Sequence, residues 1–318
     1  MFLIIIYHYS LYGNWKDKEL FPFNFFLPFG QIGVFLFVMI SGWFLSVEAF
    51  NLNKLVKRIL RLWIQVIFYS WVLLIIDMMF HYSGGLNLKK ILYGIFPVFF
   101  NEYWFVTSFI VLMIMTPLLN KMIVRLRPTV LLTYIIFFLI CSSILPILND
   151  QFSPFGSSSN VCTFITCYLF VGYLHKYGLR LKNSILISVF FLCVACEYIP
   201  LLLLNDPIFT SGIFPLIAAA GIFTVVTRLK SFHVAAINFL ASSIFASYLI
   251  TENDLVRIPL WHKWLDVAQF SNHVIIAGII ITTFLLIITI LIDKIYKIIY
   301  HLIFSKFVKS INIGTQFE

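Results

Sequence analysis

Charge is what this sequence has least of. Asp, Glu, Lys and Arg make up 11% of its 318 residues, against about a quarter in soluble domains. Apolar residues make up 61% and the mean hydropathy is +1.00, so no soluble core could bury this much apolar side chain and a soluble globular fold is excluded. The sequence also lacks a soluble domain, a long linker, a low-complexity tract and an internal repeat, and 1–318 therefore reads as a single membrane domain. Cysteine is sparse. Cys141, Cys162, Cys167, Cys193 and Cys196 all fall in apolar stretches, where the residue behaves as a small hydrophobe. Cys193-x-x-Cys196 has the spacing of a redox or metal motif, but with no second pair and no histidine at ligand spacing it reads as packing, and no metal is expected.

What the sequence does have is long apolar runs. Lipid offers no partners to backbone polar groups, so a spanning segment must be a helix of about 20 mostly apolar residues. Such runs lie near Pro28–Val47, Ile59–Phe80, Trp104–Ile123, Val130–Leu148, Val161–Tyr177, Ile185–Leu204, Ile208–Thr227, Phe239–Val256 and Val274–Ile292. Met1–Tyr12 adds a helix that rises only about 18 Å of a roughly 30 Å hydrocarbon core. No Lys or Arg precedes that run and no small-residue cleavage site follows it, so it reads as a truncated first helix rather than a signal peptide. The expected fold is all-α and polytopic, with about ten transmembrane helices.

Basic residues in short loops mark the cytoplasmic face. They cluster at Lys54, Lys57, Arg58 and Arg61, at Lys121, Arg125 and Arg127, and at His175, Lys176, Arg180 and Lys182. Further clusters are Arg228 with Lys230, and Lys294, Lys297, Lys306 and Lys309. These loops alternate, which places both termini in the cytoplasm of a cell-membrane protein. The opposite loops are poorer in positive charge: Lys16, Asp17, Lys18 and Glu19 cancel, and Asn149–Asn160 carries only Asp150. Lys89, Lys90, Arg257 and Lys263 are the exceptions. The net charge of +9 is thus mainly an orientation signal that also favours anionic membrane lipid, and nucleic acid is not an expected partner.

Ionisable groups at membrane depth usually face a cavity or a partner. His8, Asp77, Glu102, Glu197 and Glu252 are the candidates. Histidine suits proton transfer near neutral pH, so His8 fits a base that activates a hydroxyl, although a lone histidine also reads as a ring satisfied by a neighbouring carbonyl. Asp77 and Glu102 read as solvated carboxylates at the external interface. Glu197, two residues before the Ile199-Pro200 bend, reads as pairing with freed backbone donors or as a functional acid. Leu86–Phe100, with Lys89, Lys90 and Pro97, suits an interfacial segment leading into Tyr103-Trp104-Phe105. In Pro28–Leu45, Gly30, Gly33 and Ser41-Gly42 allow close helix approach.

These residues resemble the membrane family called acyltransferase 3, over nearly the whole chain. The resemblance rests on His8-Tyr9, Gly30-x-x-Gly33-Val34-x-x-Phe37-x-x-x-Ser41-Gly42-Trp43-Phe44-Leu45 and Lys57-Arg58-x-x-Arg61. Tyr103-Trp104-Phe105 through Thr116-Pro117-Leu118-Leu119, and Ser242-Ser243-x-x-Ala246-x-Tyr248-Leu249-Ile250, complete it. It implies transfer of an acyl group, commonly acetyl, from cytoplasmic acetyl-CoA to a hydroxyl of a surface polysaccharide, exopolysaccharide or lipid-linked glycan. His8 would be the catalytic base or part of an acyl relay. Arg58 and Arg61 would hold the phosphates of the acyl-CoA donor, or serve simply as positive-inside anchors. Tyr103 and Trp104 would border the acceptor side, where aromatic belts occur without any ligand as well. Glu252 and Asn253 would bind substrate or orient His8.

Two departures stand out. Relatives pair the histidine with an arginine roughly three helical turns upstream, a position that falls before Met1; and many place a histidine where this chain has Thr251, which is no base near neutral pH. The rival readings are a transporter or flippase of a lipid-linked sugar and a catalytically inactive relative.

Overall fold

A computed structural model describes residues 1–15, 21–46, 50–85, 87–145, 161–204, 207–230 and 233–311. The balanced loop Lys16, Asp17, Lys18 and Glu19, the stretch Asn149–Asn160 with Asp150, and the span ends Val47 and Pro146–Leu148 lie outside the described residues.

The described residues are helical and contain no strand. In chain order the main helices are α1 (Phe2–Tyr12), α2 (Phe21–Asn24), α3 (Phe29–Leu45), α4 (Leu52–Phe80), α5 (Leu88–Ile95), α6 (Trp104–Arg125) and α7 (Pro128–Leu139). There follow α8 (Val161–Tyr177), α9 (Asn183–Leu203), α10 (Ile213–Thr227), α11 (Ala235–Ala241), α12 (Ile244–Thr251), α13 (Val274–Ile303) and α14 (Ser305–Ser310). Among the described residues, five stretches are long and apolar enough to cross a membrane: Phe21–Leu45, Leu52–Phe80, Trp104–Arg125, Asn183–Leu203 and Val267–Ile303. Other expected spans form shorter apolar helices at Phe2–Tyr12, Pro128–Ile144, Ile213–Thr227 and Ala235–Thr251. Whole faces of the long helices expose large apolar side chains, among them Ile276, Ile280, Phe284, Leu291 and Ile298 on α13, as a lipid-facing surface requires.

The expected span Phe239–Val256 is not one helix. It stops at Ala241, turns through Ser242 and Ser243 and restarts at Ile244. A helix end leaves carbonyls without intrahelical donors, and here lysines from α13 supply them. The Lys294 ammonium donates to the Phe239 carbonyl at 3.1 Å, and that of Lys297 to the Ser242 carbonyl at 2.5 Å and Ser243 Oγ at 2.8 Å.

The chain forms two compact units. The first comprises Met1–Glu48, Ile114–Phe232 and Val267–Ile280. At its heart is α8, with Phe164, Cys167, Tyr168, Leu169 and Val171 fully buried. Tyr168 donates to Asn120 Oδ1 at 2.7 Å, and the Asn120 amide donates to the Leu45 carbonyl. Its basic residues tie down helix ends and connections: Lys176 donates to the carbonyls of Ile123 and Val124 in the last turn of α6 at 2.8 and 2.7 Å, and Arg228 to the Leu181 carbonyl and Asn183 Oδ1 at the connection into α9. A cation at a helix C-terminus, as Lys176 is at the end of α6, satisfies both the orphan carbonyls and the helix dipole.

The second unit comprises Ala49–Met113, His233–Asp266 and Ile281–Glu318. Asn51 caps α4 by accepting from the Lys54 amide at 2.9 Å, and Asn87 caps α5 in the same way through Lys90 at 2.8 Å. The short α5 lies against α4, where Ser70 and Trp71 donate to the carbonyls of Gly94 and Ile95. Fully buried Asp293 accepts from Gln65 and Tyr69, each at 3.0 Å, and pairs with Lys297 at 3.0 Å.

Candidate functional site

In the first unit, α1 carries His8 with only 6% of its surface exposed. The imidazole lies between the rings of Tyr7 and Tyr12, at centroid distances of 5.2 and 5.4 Å. α1 can sit this close to α3 because two glycines face it. A Cβ at Gly30 would collide with the Tyr7 ring, and one at Gly33 would meet Ile4 and Leu3 at 3.0 Å. On the other side, Tyr9 donates to the Val274 carbonyl at 3.1 Å and Gly278 leaves room for the Tyr9 and Phe26 rings. The small residues of the Gly30-x-x-Gly33 string thus hold the histidine-bearing helix.

In the second unit, the turn before α6 puts Asn101 in the left-handed region, φ 57°, a conformation asparagine tolerates better than most residues. Beyond it Tyr103 is completely buried. Its hydroxyl donates to the Leu249 carbonyl at 3.0 Å and accepts from the Asn253 amide at 2.8 Å; the Asn253 carbonyl accepts from the Leu255 amide at 3.0 Å. Burial raises the Tyr103 hydroxyl above the usual phenol range, with Asn253 opposing, so the group acts as a neutral donor. The structure therefore brings Tyr103 and Asn253 together as a joint between the start of α6 and the end of α12.

Next to this joint, the Asp254 amide donates to Glu102 Oε1 at 2.8 Å. Glu102 is not the freely solvated carboxylate expected from its position: burial first, and then the charge of Asp254, push it up to about 7, while the Asp254 amide and Arg257 pull the other way. Arg257 pairs with Asp254 at 2.6 Å and stands 4.0 Å from Glu252. Trp104 is half-buried at the first position of α6. A cavity of about 310 Å³ opens here, lined by Asn87, Lys89, Lys90, Tyr93, Glu102, Asn253, Asp254 and Arg257, with Gly94 and Leu255. Sequence reasoning named Asn253 but not this surround; the available signal was that Lys89, Lys90 and Arg257 are exceptions to the expected positive-inside pattern.

Asp77 also departs from expectation. It is fully buried and accepts from the Ser83 amide at 2.8 Å and the Ser83 hydroxyl at 2.6 Å, fastening the turn that follows α4. Glu197 is fully buried in α9, and neither of its carboxyl oxygens has a hydrogen-bond partner among the described residues. The expected pairing with freed donors fails for a simple reason: a proline in a helix removes a donor and frees a carbonyl acceptor. Thr251 donates to the Ser247 carbonyl of its own helix at 2.8 Å.

Arg58 and Arg61 lie three residues apart near the start of α4, a spacing that puts both on one face; Arg58 is half-buried and Arg61 exposed. His8 belongs to the first unit, and Arg58, Arg61, Tyr103, Trp104, Glu252 and Asn253 to the second. No group of three metal-ligating side chains occurs among the described residues.

A family model described as an acyltransferase domain matches residues 1–293. No curated protein and no solved structure matches the chain.

Proposed function

The chain belongs to the acyltransferase 3 family, and from that premise we propose that this membrane acyltransferase moves acetyl from cytoplasmic acetyl-CoA to a hydroxyl of a surface or exported polysaccharide. The observation that carries the reading is the setting of His8: a nearly buried imidazole on a helix locked against α3 by Gly30 and Gly33.

A hydroxyl is a poor nucleophile until its proton is taken, and a neutral imidazole is the usual acceptor near neutral pH. In this reading His8 removes the proton of the sugar hydroxyl as its oxygen attacks the thioester carbonyl. The tetrahedral intermediate collapses, the C–S bond breaks, and the proton on His8 passes to the departing CoA sulfur, leaving the acetyl ester and free CoA. The flanking rings of Tyr7 and Tyr12 restrict the imidazole, which matters because misplacing a catalytic group by about 1 Å can reduce the rate about a hundredfold. Arg58 and Arg61, presented together on α4, suit the bidentate grip that CoA phosphates call for. Both termini lie in the cytoplasm in this arrangement, and the Glu102–Asn253 region faces the acceptor.

The test uses membranes carrying the chain, labelled acetyl-CoA, and surface polysaccharide, with free thiol and labelled polysaccharide both measured. His8→Ala and His8→Gln are expected to lower transfer by about 10²- to 10⁴-fold without changing the amount of folded protein. Thiol release and transfer that persist unchanged in both variants would remove His8 from the reaction. A chain that moves glycan across vesicle membranes without consuming acetyl-CoA would be a transporter.

A further inference from the structure

The cavity beside the Tyr103–Asn253 joint has a charge pattern that the expected orientation does not explain. Three of the four basic residues that break the positive-inside pattern, Lys89, Lys90 and Arg257, line this one space. Basic residues outside the membrane weaken the orientation signal, so gathering three of them in one place calls for a different cause.

Their partners are unequal. Arg257 is matched to Asp254. Lys90 is held by the carbonyls of Ser83 and Gly85 and by Ser83 Oγ, at 3.2, 3.1 and 3.4 Å, all neutral acceptors. Lys89 lies over the Tyr93 ring at 5.3 Å. Among the described residues neither lysine has a carboxylate within ion-pair distance. The one further acid on the cavity wall is Glu102, and its elevated pKa, about 7, leaves its charge only partly present at neutral pH. The polar ends of Asn253 and Tyr103 are occupied by each other and by backbone. What the cavity offers a visitor is therefore the ammonium of Lys89, the unneutralised charge of Lys90, whose own donors are turned to the Ser83–Gly85 turn, and the Tyr93 ring, in a volume at the lower end of the roughly 300–1,000 Å³ typical of small-molecule sites.

We propose that this cavity binds an anionic group carried by the acceptor glycan, a sugar carboxylate or phosphate, and so selects acidic polysaccharide. The proposal rests on the acyltransferase reading for the identity of the visitor, but the site itself is tested by binding. The full chain is placed in phosphatidylcholine nanodiscs and titrated with an oligogalacturonate trimer and with neutral galactotriose. The uronate is expected to bind at least tenfold more tightly than the neutral sugar, with affinity falling as salt rises. Lys89→Gln/Lys90→Gln should abolish that difference, and Lys89→Arg/Lys90→Arg should restore it with unfolding temperature unchanged.

Equal binding of the two trisaccharides, no binding of either, or full uronate binding by the double glutamine variant would overturn the proposal. A parallel titration in phosphatidylglycerol nanodiscs distinguishes the anion's source: uronate affinity that survives there supports a glycan site, whereas its displacement by that lipid marks a headgroup site and overturns it. Thiol release from acetyl-CoA is measured on the same preparations. Selective uronate binding without thiol release would sink the enzyme reading while leaving the anion site standing.

Discussion

Gly30→Ala gives the sharpest test of how His8 is held. An ideal Cβ at position 30 would stand 2.6 and 2.8 Å from Tyr7 Cδ2 and Cδ1, whereas carbon atoms pack at about 3.5–4.0 Å. Close to 1 Å of separation must be found. α1 can back away from α3, or the Tyr7 ring can swing, and the ring it would press on is that of His8, whose centroid is 5.2 Å away. Both routes displace the imidazole. The expected result is an acetyl-transfer rate down about a hundredfold, with stability reduced by about 1–3 kcal/mol as in other overpacked sites. Gly33→Ala is the graded control, because its Cβ would meet Ile4 Cγ1 and Leu3 Cβ at 3.0 Å, a smaller overlap. Removing the obstacle should restore function, so Gly30→Ala/Tyr7→Ala should match Tyr7→Ala alone. The assays are transfer from labelled acetyl-CoA and thermal unfolding in detergent. Unchanged transfer by Gly30→Ala, or a double variant no better than Gly30→Ala, would refute the argument that this contact positions the histidine.

Two further predictions concern the second unit. Asp293→Ala removes the buried acceptor shared by Gln65, Tyr69 and Lys297; hydrogen bonds to a charged group contribute about 1.5–3 kcal/mol each, so unfolding should occur many degrees lower, while Asp293→Asn, which keeps a carbonyl oxygen for Gln65 and Tyr69, should lose less. Glu102 binds its proton more tightly in the folded chain, at about 7 against an ordinary 4.5. The folded state therefore keeps a proton that the unfolded chain releases across that interval, so this contribution is fully present below 4.5 and is lost as pH rises towards 7. Thermal unfolding measured from pH 4.5 to 8 should show the decline in the parent chain and its loss in Glu102→Gln; identical pH profiles would refute it.

Much of the fold was legible because lipid imposes a single rule: apolar runs become helices. α3, α4, α6, α9 and α13 were readable from length and hydropathy alone. The interruption at Ser242-Ser243 was not, since two serines inside an apolar run look like small residues in a continuous span. What stabilises the break is Lys297, more than fifty positions away, on a segment whose lysines read locally as an orientation signal. Asp77 misled for the same reason: proximity to a helix end suggests solvent, but the deciding partner is the amide and hydroxyl of Ser83 in the following turn. The close approach of α1 at Gly30 and Gly33 could be read, because close packing selects residue type at fixed spacing. The mutual engagement of Tyr103 and Asn253 could not, as it joins residues separated by 150 positions.

The positive charges of this chain fall into groups that a net charge conceals. Lys176, Arg228, Lys294 and Lys297 donate to helix-terminal or turn carbonyls, so each has a role in folding. Arg58 and Arg61 follow the capped start of α4, where a cation gains nothing from the helix dipole. Orientation accounts for their charge, but a lysine would serve that purpose equally well, whereas the planar, multi-donor guanidinium suits phosphate recognition. The same reasoning applied at the other cluster separates Lys89 and Lys90 from Arg257: one cation is neutralised by its own carboxylate, and the two that are not border a cavity. Charge that no carboxylate neutralises, gathered at the wall of a cavity, is where a ligand is the simplest cause.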